Sequence, residues 1–294
     1  MIAFPLLSGQ ALASVSSGSL SWRWFLVILL FGGVCQPMIL YLNDYADEAV
    51  DRHSEPSWLA GGSRVIPDGQ LTGGDLLSAS FFLMTLLMAL SVCCIYFERP
   101  WMPLLAGLCI ISAWTYSLAP LKSAYRGHGE FHQALSCGVL LPVIGFYLQT
   151  GMLVEDFPWT MLLPLCAIFF AGNIVTALPD VPADQLHAKQ SYPVRHGVGR
   201  AGRDIIVLLM GAYVAAIVLG APQVWLPTML LAAAPAIILL VPLFQLVFGS
   251  EAAMATRAGI RRFTVFASLS QAWMLAAWTA ILFWQGCFLN PVQT

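Results

Sequence analysis

Apolar runs of about 20 residues recur along the whole chain, and no other feature narrows its fold as far. One helix needs a run of roughly that length to cross the hydrocarbon core of a bilayer. A helix also satisfies its own backbone hydrogen bonds there. Such runs lie near residues 22–43, 76–97, 100–118, 131–150, 159–178, 204–222, 224–248 and 263–286. The segment 2–17 is apolar but short and rich in Ser and Gly, and it reads as a ninth, shortened helix. The runs are continuous, unlike the short alternating segments of a membrane β-barrel. Composition agrees: 59% of residues are hydrophobic and 10% charged, against roughly 45–50% and about 25% in soluble domains. The expected fold is all-α, a polytopic membrane bundle of about nine transmembrane helices, with residues 1–294 forming one membrane-embedded domain.

Charge orients the bundle. The long polar connections are 44–75, 119–130, 179–203 and 249–262, and all four fall on one side of the membrane if residue 1 starts there. They carry Arg52, Arg64, Lys122, Arg126, Lys189, Arg195, Arg200, Arg203, Arg257, Arg261 and Arg262, which is 11 of the 13 basic residues. Only Arg23 and Arg99 lie on the far side. The excess of Lys and Arg in cytoplasmic loops makes that side the cytoplasm. The short loop "TGMLVEDFPW" is acidic, as expected for the opposite face. The N-terminus lacks a basic region and a cleavage site, so no cleavable signal peptide is expected.

Several chemistries are excluded. The seven cysteines all sit in apolar stretches without metal-type spacing and read as small core residues. The five histidines are scattered among loop segments and show no zinc pattern. No basic tail or aromatic-basic patch points to nucleic acid.

Two acidic groups remain, and both are expected on the cytoplasmic side. Asn43, Asp47 and Asp51 are spaced i, i+4, i+8 at the end of the second span and share one helical face, with Asp44 close by. Like charges at this spacing repel by roughly a few tenths of a kcal/mol per exposed pair, so their gathering implies a shared cation. Asp180 and Asp184 follow the sixth span, where Pro179 and Pro182 predict a kink or a fresh helix start. Sets of two and three carboxylates suit a hard cation such as Mg²⁺, which keeps waters and takes one or two carboxylates plus phosphate oxygens. The implied ligand is a phosphate or diphosphate. Arg64, Lys122, Arg126, Lys189 and Arg195 lie in the same loops, where they can grip the anion directly.

These residues resemble the UbiA superfamily of intramembrane prenyltransferases. Asn43, Asp47 and Asp51 match its Asn-x-x-x-Asp-x-x-x-Asp motif, with Asp44 beside the Asn. Asp180 and Asp184 match its second motif, Asp-x-x-x-Asp. "GGSRVIPDGQLT", the run from Pro120 to Glu130 and "DVPADQLHAKQSYPVRHG" look most like the branch of the family that prenylates 1,4-dihydroxy-2-naphthoate in menaquinone synthesis. There are departures. Thr176, Ala177, Leu178 and Pro179 replace the usual Asn-Asn-x-Arg. Ala188 replaces a usual Gly, and Ser191 a usual Thr. They bear on the aromatic acceptor more than on the diphosphate.

The resemblance implies an Mg²⁺-dependent enzyme that joins a prenyl diphosphate to an aromatic acceptor in a bacterial inner membrane. Asn43, Asp44, Asp47, Asp51, Asp180 and Asp184 would hold the metal. Arg64, Lys122, Arg126 and Lys189 would bind the diphosphate. Tyr116 and Tyr125 are candidates for stabilising an allylic cation, and Glu130 for positioning or deprotonating the acceptor. Three alternatives stay open: the same fold acting on another aromatic acceptor, cyclisation of the same cation by a membrane terpene cyclase, and ion or solute transport. Transport calls for acids near the midplane or in repeated broken helices, whereas these acids crowd one face.

Overall fold

The computed structural model describes residues 2–53, 62–153, 157–220, 226–249 and 253–289. Residues 221–225, where the runs 204–222 and 224–248 meet, and the loop acids Glu155 and Asp156, lie outside it. All regular structure among the described residues is helical. Among the described residues, seven stretches are long and apolar enough to cross a membrane: Trp22–Asp51, Gly73–Phe97, Gly129–Thr150, Trp159–Ala177, Val198–Gly220, Leu226–Phe248 and Arg257–Phe288. The two remaining expected spans are shorter helices, α1 (Ala3–Ser17) and α5 (Met102–Ser117). Large apolar side chains such as Leu30, Phe82, Val214 and Leu231 point outward, the surface an integral membrane protein offers to lipid.

Local sequence explains the helix ends. The helix α4 (Gly73–Cys93) opens on a capping box. Thr72 Oγ1 accepts from the Asp75 N–H at 3.2 Å, and Asp75 Oδ2 accepts from the Thr72 N–H at 2.8 Å. The helix α14 (Arg257–Trp284) starts at Thr256, whose hydroxyl accepts from the Gly259 N–H at 3.0 Å. The helix α7 (Leu141–Thr150) ends under Arg99. Arg99 Nε donates to the Leu148 carbonyl at 2.8 Å and its Nη2 to Gln149 at 3.2 Å, satisfying terminal carbonyls.

Arg99 and Arg23, the two basic residues expected on the far side, meet at one end of the bundle. Their guanidinium carbons lie 4.5 and 4.8 Å from the Trp24 ring centroid. Both helix α2 (Trp22–Ala46) and its one-turn continuation α3 (Glu48–Asp51) run away from that end. At 1.5 Å per residue they carry Asp47 about 36 Å from Arg23, so the acids and the two far-side arginines occupy opposite ends.

Two apolar cores fill the bundle. One joins α1, α2, α4, α5 and α7. The other joins α1 and α7 to α8 (Leu162–Ala177), α11 (Val198–Gly220), α12 (Leu226–Ile238), α13 (Leu240–Phe248) and α14. The helix α1 packs against α7 with backbones in contact, because Gly9 and Gly145 face the other helix. Between α6 (Gly129–Leu135) and α7 runs a π-helical turn, Ser136–Leu140. There Gly138 abuts α8, and an added Cβ would fall 2.7 Å from Cys166 Cα. Cys35, Cys94 and Cys109 are buried as expected; Cys93 departs from that reading, because its position on α4 turns it outward and exposes it.

Candidate active site at the carboxylate mouth of the bundle cavity

A cavity of about 370 Å³ opens between α2, α5, α6, the π-turn and α8. Its deep part is apolar, with Cys35, Ile39, Leu40, Cys109, Ala113 and Leu140 on the wall. Its mouth carries Asn43, Asp47, Asp51, Asp180, Asp184 and Lys189. The two sequence motifs, separated by some 130 positions in the chain, thus face one opening.

The first motif keeps its helical spacing. Helical hydrogen bonds continue through the break at Asp47, from the Asp47 N–H to the Asn43 carbonyl and from the Asp51 N–H to the Asp47 carbonyl, each 2.8 Å. Asn43, Asp47 and Asp51 therefore remain on one face, as their spacing predicts. Asp44 is buried but turned aside. It accepts from the Ser63 hydroxyl and is absent from the cavity wall, because one residue along a helix is a rotation of about 100°. Gly62 closes over Asp51: an added Cβ would fall 2.1 Å from Asp51 Oδ2, and Gly62 has φ +66°. Only glycine tolerates both conditions.

The second motif makes a fresh helix start. The helix α8 ends at Ala177, and α9 (Val181–Leu186) begins with Asp180 at its N-cap and Pro182 in its first turn. The end of α9 then aims Lys189. The Ala188 N–H bonds to the Gln185 carbonyl at 3.3 Å, and the Lys189 N–H to the Asp184 carbonyl at 2.9 Å. Ala188 adopts the left-handed φ of 54°. This is the Schellman arrangement, in which glycine is favoured. Ala188→Gly is expected to raise stability by about 0.5–1 kcal/mol, the left-handed strain of about 1–2 kcal/mol less the entropy that glycine brings. Thermal unfolding in detergent measures it, and a lowered midpoint contradicts it.

The turn brings the Lys189 ammonium between the two motifs. Its Nζ lies 2.9 Å from Asp47 Oδ2 and 3.8 Å from Asp184 Oδ1. Burial works against this charge, yet Asp47 and Asp184 outweigh it and hold the lysine above its ordinary pKa. Burial likewise pushes the Asp184 carboxyl up, while Lys189 and a 2.6 Å hydrogen bond from Ser191 pull it back. Asp47 Oδ1 accepts from the Tyr125 hydroxyl at 2.6 Å. Burial and the Asp47 charge raise the Tyr125 pKa, so it stays a donor.

Among the described residues no three Asp, Glu, His or Cys side chains converge to hold a metal by themselves. The donor set still fits Mg²⁺, which takes few protein carboxylates and completes its shell with water and phosphate oxygens. Asp184 Oδ1 is buried with no hydrogen bond, and the position between Asp47 and Asp184 is already occupied by a cation, the lysine ammonium.

The other expected residues divide. Tyr116 lines the cavity, and its hydroxyl accepts from Asn173 Nδ2 at 2.8 Å. Tyr125 offers its ring face to protein cations, with Lys122 Nζ 3.6 Å and Lys189 Nζ 5.0 Å from the centroid. Lys122 and the exposed Arg126 stand away from the cavity wall. So does Arg64, which donates to the Asp51 carbonyl at 3.1 Å and to Asp68 at 3.2 Å. Glu130 reaches the wall, but both of its oxygens are taken: the Tyr192 N–H donates to one at 2.8 Å, and Arg195 to the other at 3.1 Å. It therefore clamps the segment after α9 to the first turn of α6.

Sequence reasoning missed the polar middle of the cavity. Asn173 Nδ2 also donates to Gln133 Oε1 at 2.8 Å, and Ser112, His132 and Ser136 line the wall beside them. The reading of all five histidines as loop residues fails at His132, which lies in α6. Single polar residues in an apolar run carry no spacing signal; of these, only Ser112 shares a helix and its phase with Tyr116.

Comparison with known proteins follows this geometry. Residues 2–267 match the UbiA prenyltransferase family. The chain is 22% identical over 227 residues to 1,4-dihydroxy-2-naphthoate octaprenyltransferase of Mycobacterium leprae, covering 75% of this chain and 74% of that protein. It is 27% identical over 201 residues to the Escherichia coli protein of the same name (64% and 62%). It is also 25% identical over 210 residues to the bacteriochlorophyll synthase 34 kDa chain of Chloroflexus aurantiacus (69% and 64%). In fold it is similar to the apo UbiA homolog from Aeropyrum pernix K1, with a TM-score of 0.70, 15% identity and 95% of each chain covered. The UbiA homolog from Archaeoglobus fulgidus, solved with DMAPP and Mg²⁺, gives a TM-score of 0.59 at 16% identity, covering 94% of this chain and 95% of that one. With nearly the whole sequence matched and the fold shared, the chain belongs to the UbiA prenyltransferase family and is an integral membrane prenyltransferase.

Proposed function

We propose that the chain transfers a prenyl group from a prenyl diphosphate to 1,4-dihydroxy-2-naphthoate, a step of menaquinone synthesis, at the cytoplasmic face of a bacterial inner membrane. The observation that carries this reading is a cavity with both carboxylate motifs and a lysine at its mouth and an apolar interior behind them. The names of the Mycobacterium leprae and Escherichia coli relatives favour this acceptor. The basic residues of the long connections favour this orientation.

The residues divide the work by chemistry. Asp47, Asp51, Asp180 and Asp184, with Asn43, would hold Mg²⁺ and, through it, the diphosphate. Bound there, Mg²⁺ neutralises charge on the departing diphosphate. Lys189 is placed to turn from Asp47 to the diphosphate and add a direct contact. Asp44 supports the site from behind by fixing Ser63, and Arg64 does so by gripping the carbonyl of Asp51. Lys122 and Arg126 stand at the same loop end, where they attract the anion before it enters. The apolar wall receives the isoprenoid, whose burial is worth about 0.8 kcal/mol per CH₂, and keeps water from the allylic cation. Tyr116 presents its ring to that cavity, where an aromatic face stabilises a cation.

Membranes holding the protein, supplied with Mg²⁺, a prenyl diphosphate and 1,4-dihydroxy-2-naphthoate, are expected to form a prenylated naphthoquinol detectable by mass, with the ring carboxyl leaving as carbon dioxide. Transfer to other hydroxyarenes but not to this one would reassign the acceptor. A prenyl hydrocarbon formed without any acceptor would favour cyclisation.

A further inference from the structure

Two polar groups line the middle of the cavity, and only one of them closes on itself. Ser136 Oγ donates to the His132 carbonyl at 2.8 Å, so Ser112 Oγ is the donor in its 2.6 Å bond to Ser136 Oγ. His132 Nε2 then donates to Ser112 Oγ at 2.9 Å, and Nδ1 accepts from Ser123 Oγ at 2.9 Å. Every polar hydrogen of these four side chains has an acceptor. The group ties α5, the loop after it and α6 together, and it has no bond left to offer a ligand without losing one of its own.

The second group stays open. Asn173 uses both amide hydrogens, one on the Tyr116 hydroxyl and one on Gln133 Oε1, each at 2.8 Å. Asn173 Oδ1 and Gln133 Nε2 then have no hydrogen-bond partner among the described residues, and neither atom is sealed inside the protein. Both residues line the cavity, so the free atoms meet its space. Turning both amides end for end exchanges their roles and again leaves one amide oxygen and one amide N–H toward the cavity. Asn173 precedes Asp180 by about two helical turns, which sets the amides roughly 10 Å inward from the carboxylate mouth. An isoprenoid has neither a donor nor an acceptor, so amides facing it alone would stay unpaired at a cost in free energy. An arene with oxygen substituents pairs both.

We propose that Asn173 and Gln133 select the aromatic acceptor: their free amide oxygen accepts from a ring hydroxyl, and their free amide N–H donates to a second oxygen on the same molecule, a hydroxyl or a carboxylate. This rests on the reading of the site as one that prenylates a hydroxyarene. Tyr116 holds the Asn173 amide from the other side and fixes its plane. The pair lies beyond the mouth that receives the diphosphate, on the side of the apolar interior, so an acceptor held there lies beside the prenyl chain just inside its diphosphate end. A site built to hydrogen-bond a substrate rejects an analogue lacking the group, because its own polar atoms are then left unpaired. The ligand class is therefore an arene with two oxygen substituents rather than one.

The test compares 1,4-dihydroxy-2-naphthoate with 1-naphthol, which has a single oxygen, as acceptors for the full-length protein in membranes. Gln133→Met keeps the length of the side chain and removes its amide. It is expected to raise KM for 1,4-dihydroxy-2-naphthoate by about 10–100-fold, the scale of one polar group left without its partner, with kcat changed by less than about threefold. The one hydroxyl of 1-naphthol can still pair with Asn173, so its kcat/KM should stay within about threefold of wild type. Asn173→Leu removes that contact as well and should weaken both acceptors. Binding of labelled geranyl diphosphate with Mg²⁺ should equal that of the wild type in both variants. Gln133→Met losses that are equal for the two acceptors, absent, or matched by lost binding of geranyl diphosphate would overturn the selection and leave the functional reading standing. A wild-type protein that prenylates neither acceptor would overturn that reading and the selection together.

Discussion

Asp47→Ala is expected to reduce prenyl transfer by about 10³-fold while the protein remains folded. The size follows from pre-placed electrostatics: removing one group that meets developing charge typically slows a reaction by about 10²–10³-fold. Asp47 does more than supply one ligand. Its Oδ2 takes Lys189 and, at 3.3 Å, the Asn43 amide, and its Oδ1 takes Tyr125. Truncation therefore removes a carboxylate from the proposed metal position and also releases Lys189, the lysine proposed to meet the diphosphate. Asp47→Asn should fall nearly as far, since the amide keeps the size and loses the charge. Transfer rates with labelled prenyl diphosphate decide the point. A variant within about tenfold of wild type would remove Asp47 from the site.

Gly145→Ala is expected to destabilise the bundle by about 3 kcal/mol, at the upper end for one added methyl group. An added Cβ at Gly145 would fall 2.0 Å from the Leu6 carbonyl oxygen, and one at Gly9 would fall 1.9 Å from the Pro142 carbonyl oxygen. Both obstacles are backbone, so no side chain can swing aside and the two helices must separate. Small residues permit such close approach in membrane bundles, where packing rather than the hydrophobic effect drives helix association. Ile2 and Leu141 extend from this contact to the cavity wall, so separation should disturb the site as well. Gly211→Ala in α11 is the control. An added Cβ there meets nothing within 4 Å, and alanine should stabilise the helix by about 0.5–1 kcal/mol. Thermal unfolding in detergent compares the two. Equal midpoints would show that α1 and α7 are not locked by their glycines.

The helical bundle and the motif faces were legible because each rests on a period. Apolar runs of membrane length read as spans, and Asn43, Asp47 and Asp51 read as one face because helical spacing places them there. Pro179 and Pro182 announced the new start at α9. Side-chain direction was less legible. Asp44 looked equivalent to its neighbours, but the helical turn points it at Ser63. Lys122 and Arg126 share a loop with Tyr125, yet a loop residue carries no period to say which way it faces. The contacts that hold Glu130 between Tyr192 and Arg195 join positions about 60 residues apart, and no local pattern encodes them. The close α1–α7 contact was hidden for the same reason: glycine in an apolar run is common, and its meaning depends on what lies opposite.

The most direct test of the account is equilibrium binding of labelled geranyl diphosphate to the purified protein, with and without Mg²⁺ and in the absence of any acceptor. Wild type and Asp184→Asn are compared. The account predicts that wild-type binding requires Mg²⁺ and that the variant loses affinity by at least about tenfold, the scale of one lost charge-assisted contact of roughly 1.5–3 kcal/mol. Tight binding without the metal, equal in both proteins, would contradict the assignment of the two carboxylate motifs to an Mg²⁺–diphosphate site.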